Sequence, residues 1–317
     1  LSRSACAGKL SRSCRRQRGC RYHQRQARLC KNINPQETVM SSQLRVPCAY
    51  QGGKQRVAAQ MVDQILDAAP SPNARFYDLC CGSGAVSIEL VNRGVDPSRI
   101  WMLDISSWGC FWSAIGSGTF SMEIFDQYLA ELPDSKHDVQ AHMSAISLLP
   151  IREHEAELYP ILQACSFGGK QIWRRGNSWA NACFRSYWEP TATSVRRSPA
   201  NPMQPSPSEL RRRVVALSKG MRGVTCLNVD IMTLLNSELP SDAVVYVDPP
   251  YQSTTGYAFG FDLVSFIERF RRSNQAPLFV SEGVPLNEDA LLLTFGGAKG
   301  GISGVRKGKH EEWLCRF

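Results

Sequence analysis

The run RFYDLCCGSGAVSIELVNRG, residues 75 to 94, followed four residues later by RIWMLDIS, limits the fold more than any other part of this chain. It reads as a strand, a glycine turn, an amphipathic helix and a second strand. A helix of that length between two strands makes a crossover, so the strands are parallel. Upstream, AYQGGKQRVAAQMVDQIL places a glycine turn before apolar residues at Val57, Met61, Val62, Ile65 and Leu66, a helical spacing. Further strands are expected in GVTCLNVDI, AVVYVDPPY, APLFVSEG and the closing HEEWLCRF. The whole predicts a doubly wound α/β sheet. It is interrupted between residues 105 and 225, where scattered aromatics, the helix-like MEIFDQYLAEL and the Pro/Ser loop SPANPMQPSPS replace the strand series.

Charge is distributed unevenly. Residues 1–39 hold ten Lys or Arg against the single Glu37, which equals the whole net charge of +9, and the rest balances at 27 basic and 27 acidic residues. Residues 1–39 therefore read either as a disordered basic arm that grips phosphates or as sequence that is not native coding. The second reading is favoured by Cys6, Cys14, Cys20 and Cys30 in an otherwise polar run, and by Met40 just before folded-looking text. No stretch has the apolar length of a membrane helix and the N-terminus lacks an apolar leader, so an intracellular, cytoplasmic protein is expected. Twelve cysteines include no CxxC pair at zinc spacing, which predicts buried free thiols and no metal.

Two motifs carry chemistry. In DLCCGSG, Asp78 ends a strand and Gly82 and Gly84 let the backbone turn tightly beside a ligand; Asp104 follows on the next strand end, where doubly wound folds place a carboxylate for ribose hydroxyls. In VVYVDPPYQ the prolines stop a strand abruptly after Asp248. The Asp248 carboxylate and the Pro249 carbonyl suit the two hydrogens of an exocyclic amine on a flat ring, and Tyr251 offers a stacking face. Two such bonds would draw the amine nitrogen toward a tetrahedral, nucleophilic form. Bonds to a charged acceptor are worth about 1.5–3 kcal/mol each.

Tyr50 with Gly52, Gly53 and Lys54, the Asp78 turn, Asp104, Asp230 and then Asp248-Pro249-Pro250-Tyr251, in that order, resemble the Dam-like (D12 class) family of DNA adenine N6-methyltransferases. The resemblance covers roughly Tyr50 to Phe317. It implies a Rossmann-like class I methyltransferase sheet with an inserted, mainly helical or irregular target-recognition domain that includes FGGKQIWRRGN. The implied division is 40–104 for the cofactor, 105–225 for target recognition and 226–317 for the rest of the catalytic part. It further implies S-adenosylmethionine as cofactor, with Tyr50, Gly53, Lys54 and Asp78 at its methionine part, Asp104 at the ribose and Asp230 at the adenine. The chain departs from the family at Leu79-Cys80, where Pro-Phe is usual, and at Ser106, where Asn is usual.

Double-stranded DNA is the implied partner of a monomeric enzyme, with the target base flipped out of the helix. Residues 165–222 carry eleven basic residues against Glu189 and Glu209, interleaved with Phe167, Trp173, Trp179, Phe184, Tyr187 and Trp188, a pattern suited to a DNA-reading surface. Lys170, Arg174, Arg175, Asn177 and Arg185 are the candidate DNA contacts, Arg for guanine and phosphate and Asn for adenine edges. N4-cytosine methylation, amino-group methylation of RNA, and a decayed non-catalytic DNA-binding protein remain open from sequence. The pair Glu311-Glu312 reads as a solvated strand start, and RKGKH before it as a phosphate contact or a basic loop.

Overall fold

The computed structural model describes residues 43–151, 153–251, 260–295 and 311–317. The basic segment 1–39 and the RKGKH stretch lie outside the described residues. In chain order the described elements are helix α1 (Ala58–Asp67), strand β1 (Arg75–Leu79), α2 (Ala85–Asn92), β2 (Ile100–Leu103), α3 (Ser107–Ser117), α4 (Met122–Ala130), α5 (Val139–Ser147) and α6 (Glu155–Cys165). After these come β3 (Trp173–Arg175), β4 (Ser178–Ala180), α7 (Pro207–Gly220), β5 (Thr225–Leu227), β6 (Ala243–Val247), α8 (Leu263–Ser273), β7 (Leu278–Glu282), β8 (Leu291–Phe295) and β9 (Glu311–Arg316).

Seven strands form one sheet in the order β5-β2-β1-β6-β7-β9-β8. The first five run parallel, and β9 and β8 close the edge antiparallel. Both faces are covered, which is why the central strands read as apolar runs with little alternation. Phe76, Met102, Tyr246 and Phe279 pack into the cluster on one face; Tyr77, Val245 and Val280 pack into the cluster on the other. The doubly wound sheet expected from the strand series is present; β8 within it, and the hairpin strands β3 and β4 outside it, are strands that sequence reading did not anticipate.

The segment from 105 to 225 is not a separate apolar unit. Its buried Trp108, Phe125, Tyr159, Trp179, Phe184 and Leu217 belong to the same cluster as Phe76 and Met102. This changes the meaning of its aromatics, which mostly build a core; Phe167 and Trp188 are the exposed ones, at 40% and 38%. Its basic residues are also more engaged than a local count suggests. Arg211 forms a two-pronged pair with Asp126, Arg212 and Arg213 bind Glu209, and Arg174 binds Glu155. This segment also carries the antiparallel hairpin β3–β4, whose tip residues Arg175, Gly176 and Asn177 are exposed.

Among the described residues the eight cysteines are all free, no group of His, Cys, Asp or Glu could hold a metal, and no helix is long and apolar enough to cross a membrane.

Candidate active site

The strand order reverses between β1 and β6, and a doubly wound sheet opens a crevice at the carboxyl ends of its strands at that point. A cleft of about 250 Å³ lies there. Its lining brings together Tyr50, Gly52, Gly53, Lys54, Asp78, Gly82, Asp104, Asp230, Asp248 and Pro250. These come from five separate stretches of sequence. Gly84, Pro249 and Tyr251 do not line it, and none of Lys170, Arg174, Arg175, Asn177 and Arg185 does.

The glycine turn is built by close packing. Gly82 has φ +49° and Gly84 φ +75°, the left-handed region that favours glycine. A Cβ on Gly82 would approach Tyr50 Cε1 at 2.9 Å, and one on Gly84 would approach Trp112 Cζ2 at 2.4 Å. Gly82 thus leaves room on the cleft side, whereas Gly84 serves the packing of α2 against α3. The turn is tied to β2, since the Gly82 N–H donates to Asp104 Oδ2 at 2.7 Å and the Gly82 carbonyl accepts Trp112 Nε1 at 2.9 Å.

The carboxylates differ in their partners. Asp104 Oδ1 accepts both the N–H and the hydroxyl of Ser106, at 2.8 and 2.6 Å. Asp78 Oδ2 accepts the Ser87 hydroxyl at 2.6 Å and its N–H at 3.2 Å. Asp230 is exposed and caps a short turn by accepting the Met232 N–H at 2.9 Å. Burial pushes Asp78 up to about 7, with Asp248 and Asp104 adding to the rise and the Ser87 bonds opposing it. Burial also raises Asp104.

The raised Asp78 carries a prediction. An unfolded Asp releases its proton near pH 4, and the folded one does so at about 7, so between those values the folded chain holds the extra proton. Stability therefore falls as pH rises across that window. Asp78→Asn keeps an acceptor for Ser87, removes this dependence, and is expected to unfold about 2 °C or more above the wild type at pH 8 with little difference at pH 4. Thermal unfolding at the two pH values checks it; a gap that does not widen with pH would refute the burial argument.

Asp248 follows the end of β6, its N–H held by the Leu79 carbonyl at 3.1 Å. Both of its side-chain contacts fall on Oδ1: Lys54 Nζ at 2.7 Å and the Ser281 hydroxyl at 3.0 Å. Among the described residues Oδ2 has no hydrogen-bond donor. Burial raises this carboxyl as well, with Lys54 opposing the rise. Lys54 is buried, donates to the Gly52 carbonyl at 2.8 Å, and stands 4.8 Å from the centroid of the Tyr251 ring. It is thus tied to Asp248, while the resemblance gave it to the cofactor. Tyr251 is buried and donates its hydroxyl to Glu312.

Glu312 corrects a sequence expectation. It is 6% exposed, and its Oε1 lies 3.6 Å from Lys54 Nζ, so it is no solvated strand start. Gln171, like Ser281 and Phe261, is a further residue of the site that sequence reading missed. It lines the cleft from the loop after α6, where the Gly169 carbonyl accepts the Gln51 N–H at 2.8 Å. That loop joins the hairpin side of the molecule to the Tyr50 turn.

A mostly parallel, doubly wound sheet of this order, with an acid-lined cleft at its switch point, is that of a Rossmann-like methyltransferase. The family model "D12 class N6 adenine-specific DNA methyltransferase" matches residues 50–266, about two thirds of the chain, and the protein belongs to that family. No curated protein matches it. The family's reaction is N6 methylation of adenine in DNA, which takes precedence over the cytosine reading.

Proposed function

We propose that the protein transfers a methyl group from S-adenosylmethionine to N6 of an adenine flipped out of duplex DNA, at a site carried by Asp248. The observation that supports this most is the single cleft in which Asp248 stands beside Asp78, Asp104 and Asp230. The donor set fits the cofactor: S-adenosylmethionine presents a sulfonium, an ammonium, ribose hydroxyls and an adenine amine, and the carboxylates of Asp78, Asp104 and Asp230 complement those cations and donors. When bound it supplies an electrophilic methyl group. Asp78 with the Tyr50–Lys54 turn would hold its methionine part, Asp104 the ribose and Asp230 the adenine.

Asp248 Oδ2 and the Pro249 carbonyl accept the two hydrogens of the adenine amine. Ser281 and Lys54 on Oδ1 keep the carboxylate oriented, so the acceptors are in place before the base arrives. Pro250 and Phe261 supply apolar wall for a flat ring. In this structure Tyr251 is engaged with Lys54 and Glu312, so its share in stacking falls to the edge of the site.

Flipping costs a few kcal/mol, which phosphate and base contacts must offset. We read residues 105–225 as the target-recognition part between 40–104 and 226–317, with the β3–β4 hairpin as its reading head. Arg174 spends Nη1 on Glu155 and Nε on the Gly176 carbonyl, which leaves Arg175 and Asn177 as the base readers. Lys170 is exposed for a phosphate. Arg185 is half-buried and donates Nη2 to the Ser166 carbonyl at 3.4 Å, and we keep it as a candidate phosphate contact. Arg175→Ala is expected to cost about 1–3 kcal/mol of duplex affinity with cofactor binding unchanged; equal affinities by fluorescence anisotropy would remove the hairpin from the interface.

The function is tested by incubating the protein with methyl-tritiated S-adenosylmethionine and unmethylated DNA. Label is expected in the duplex. Cofactor bound by calorimetry with no label in duplex DNA would refute the reading.

A further inference from the structure

We infer that Glu312, the second residue of β9, is a positioning residue of the methyl-transfer site: its carboxylate holds the Tyr251 hydroxyl and shares the Lys54 ammonium with Asp248. The inference rests on the reading of Asp248 as acceptor of the adenine amine. Glu312 lies outside the residues that the family model matches.

Strand direction explains its place. β9 is antiparallel to β7, with Ser281 opposite Leu314 and Glu282 opposite Trp313. The amino end of β9 therefore sits at the carboxyl edge of the parallel strands, beside the ends of β6 and β7. Glu312 and Leu314 are two residues apart on a strand and face the same way, into the side of the sheet that bears Tyr246. A carboxylate buried there needs partners. Among the described residues it has two, both on Oε1: the Tyr251 hydroxyl and, at 3.6 Å, Lys54 Nζ.

Lys54 is thus an ammonium between two carboxylates, closer to Asp248 at 2.7 Å. Were Glu312 uncharged, the whole attraction of Lys54 would fall on Asp248, whose Oδ1 already accepts Ser281. The carboxylate would then be a poorer acceptor for the amine. Glu312 moderates that pull, and through the hydroxyl it fixes the ring of Tyr251 at the end of the DPPY segment. Among the described residues the charged and titratable groups facing this cluster are Lys54, Asp248, Tyr251, Tyr246 and Glu282, with Asp78, Cys80 and Asp104 facing Asp248 from the ends of β1 and β2.

Glu312→Gln keeps the size and an acceptor for Tyr251 while removing the charge. Its kcat is expected to fall about tenfold, a change of about 1.4 kcal/mol in the barrier, with KM for DNA and cofactor affinity unchanged. The acid limb of its kcat profile should move to lower pH, because a negative Glu312 no longer opposes ionisation of Asp248. Site-resolved acetylation of Lys54 by acetic anhydride, read by mass spectrometry, should become several-fold faster, because the ammonium has lost one of its two carboxylates. Unchanged kcat and pH profile in a variant that unfolds at the wild-type temperature would overturn the inference, since a merely structural Glu312 tolerates Gln. Unchanged Lys54 acetylation would overturn it too. A wild-type protein that labels no DNA would strike the proposed function, while the Lys54 measurement would still decide whether Glu312 holds the lysine.

Discussion

Asp248→Ala is expected to lower methyl transfer to DNA at least about a thousandfold while leaving S-adenosylmethionine affinity within a few-fold of the wild type. Removing one preorganised polar partner of a transition state costs about 10²–10³ in rate, and here the group also carries a charge. A charged hydrogen bond contributes about 1.5–3 kcal/mol, and on the proposed reading its loss would turn an amine held on two acceptors into one held on the Pro249 carbonyl alone. Lys54, left buried beside the truncated side chain, would have Glu312 as its remaining carboxylate within 4 Å. Asp248→Asn separates the two effects, since it keeps the shape and removes the charge. Both variants should bind cofactor in calorimetry and release almost no methylated product. Turnover near the wild type in Asp248→Ala with cofactor bound would show that this carboxylate does not carry the reaction.

Gly84→Ala should produce the second large effect, and on stability. The residue has a φ of +75°, and the added Cβ would lie 2.4 Å from Trp112 Cζ2. The indole cannot move aside easily, because it is fully buried and its Nε1 donates to the Gly82 carbonyl. A left-handed non-glycine residue costs roughly 1–2 kcal/mol, and overpacking typically adds about 1–3. The sum is a large part of the roughly 5–15 kcal/mol by which domains are stable, so unfolding is expected about 5–15 °C lower. Gly82→Ala meets the edge of Tyr50 at 2.9 Å and should act more on cofactor affinity than on stability. Thermal unfolding of the two variants checks the ranking; equal losses would mean that both glycines serve the same contact.

Legibility in the sequence followed locality. The turn at Asp78, the strand end at Asp104 and the break after Asp248 are each written within a few residues, because a strand period, a glycine with positive φ and a proline are local facts. Three acids on neighbouring strand ends then had to share one crevice once the strands were parallel. Glu312 was illegible for the opposite reason. Its burial depends on β9 running antiparallel at the sheet edge, a pairing with residues about thirty positions away. Read alone, two adjacent glutamates look solvated. The basic count over 165–222 failed in the same way, since the acids that neutralise Arg174 and Arg211 are Glu155 and Asp126, outside the window that was counted. Lys54 lines the cleft, but its partner Asp248 is almost two hundred residues away, and no spacing rule links them.

The central claim is that this cleft methylates adenine N6 in DNA. The most direct measurement is to incubate the protein with unmethylated duplex DNA and S-adenosylmethionine, digest the DNA to nucleosides, and identify the methylated base by mass spectrometry. N6-methyladenine, absent when Asp248→Ala replaces the wild type, is the expected result. N4-methylcytosine, or no methylated nucleoside from protein shown to bind the cofactor, would contradict it.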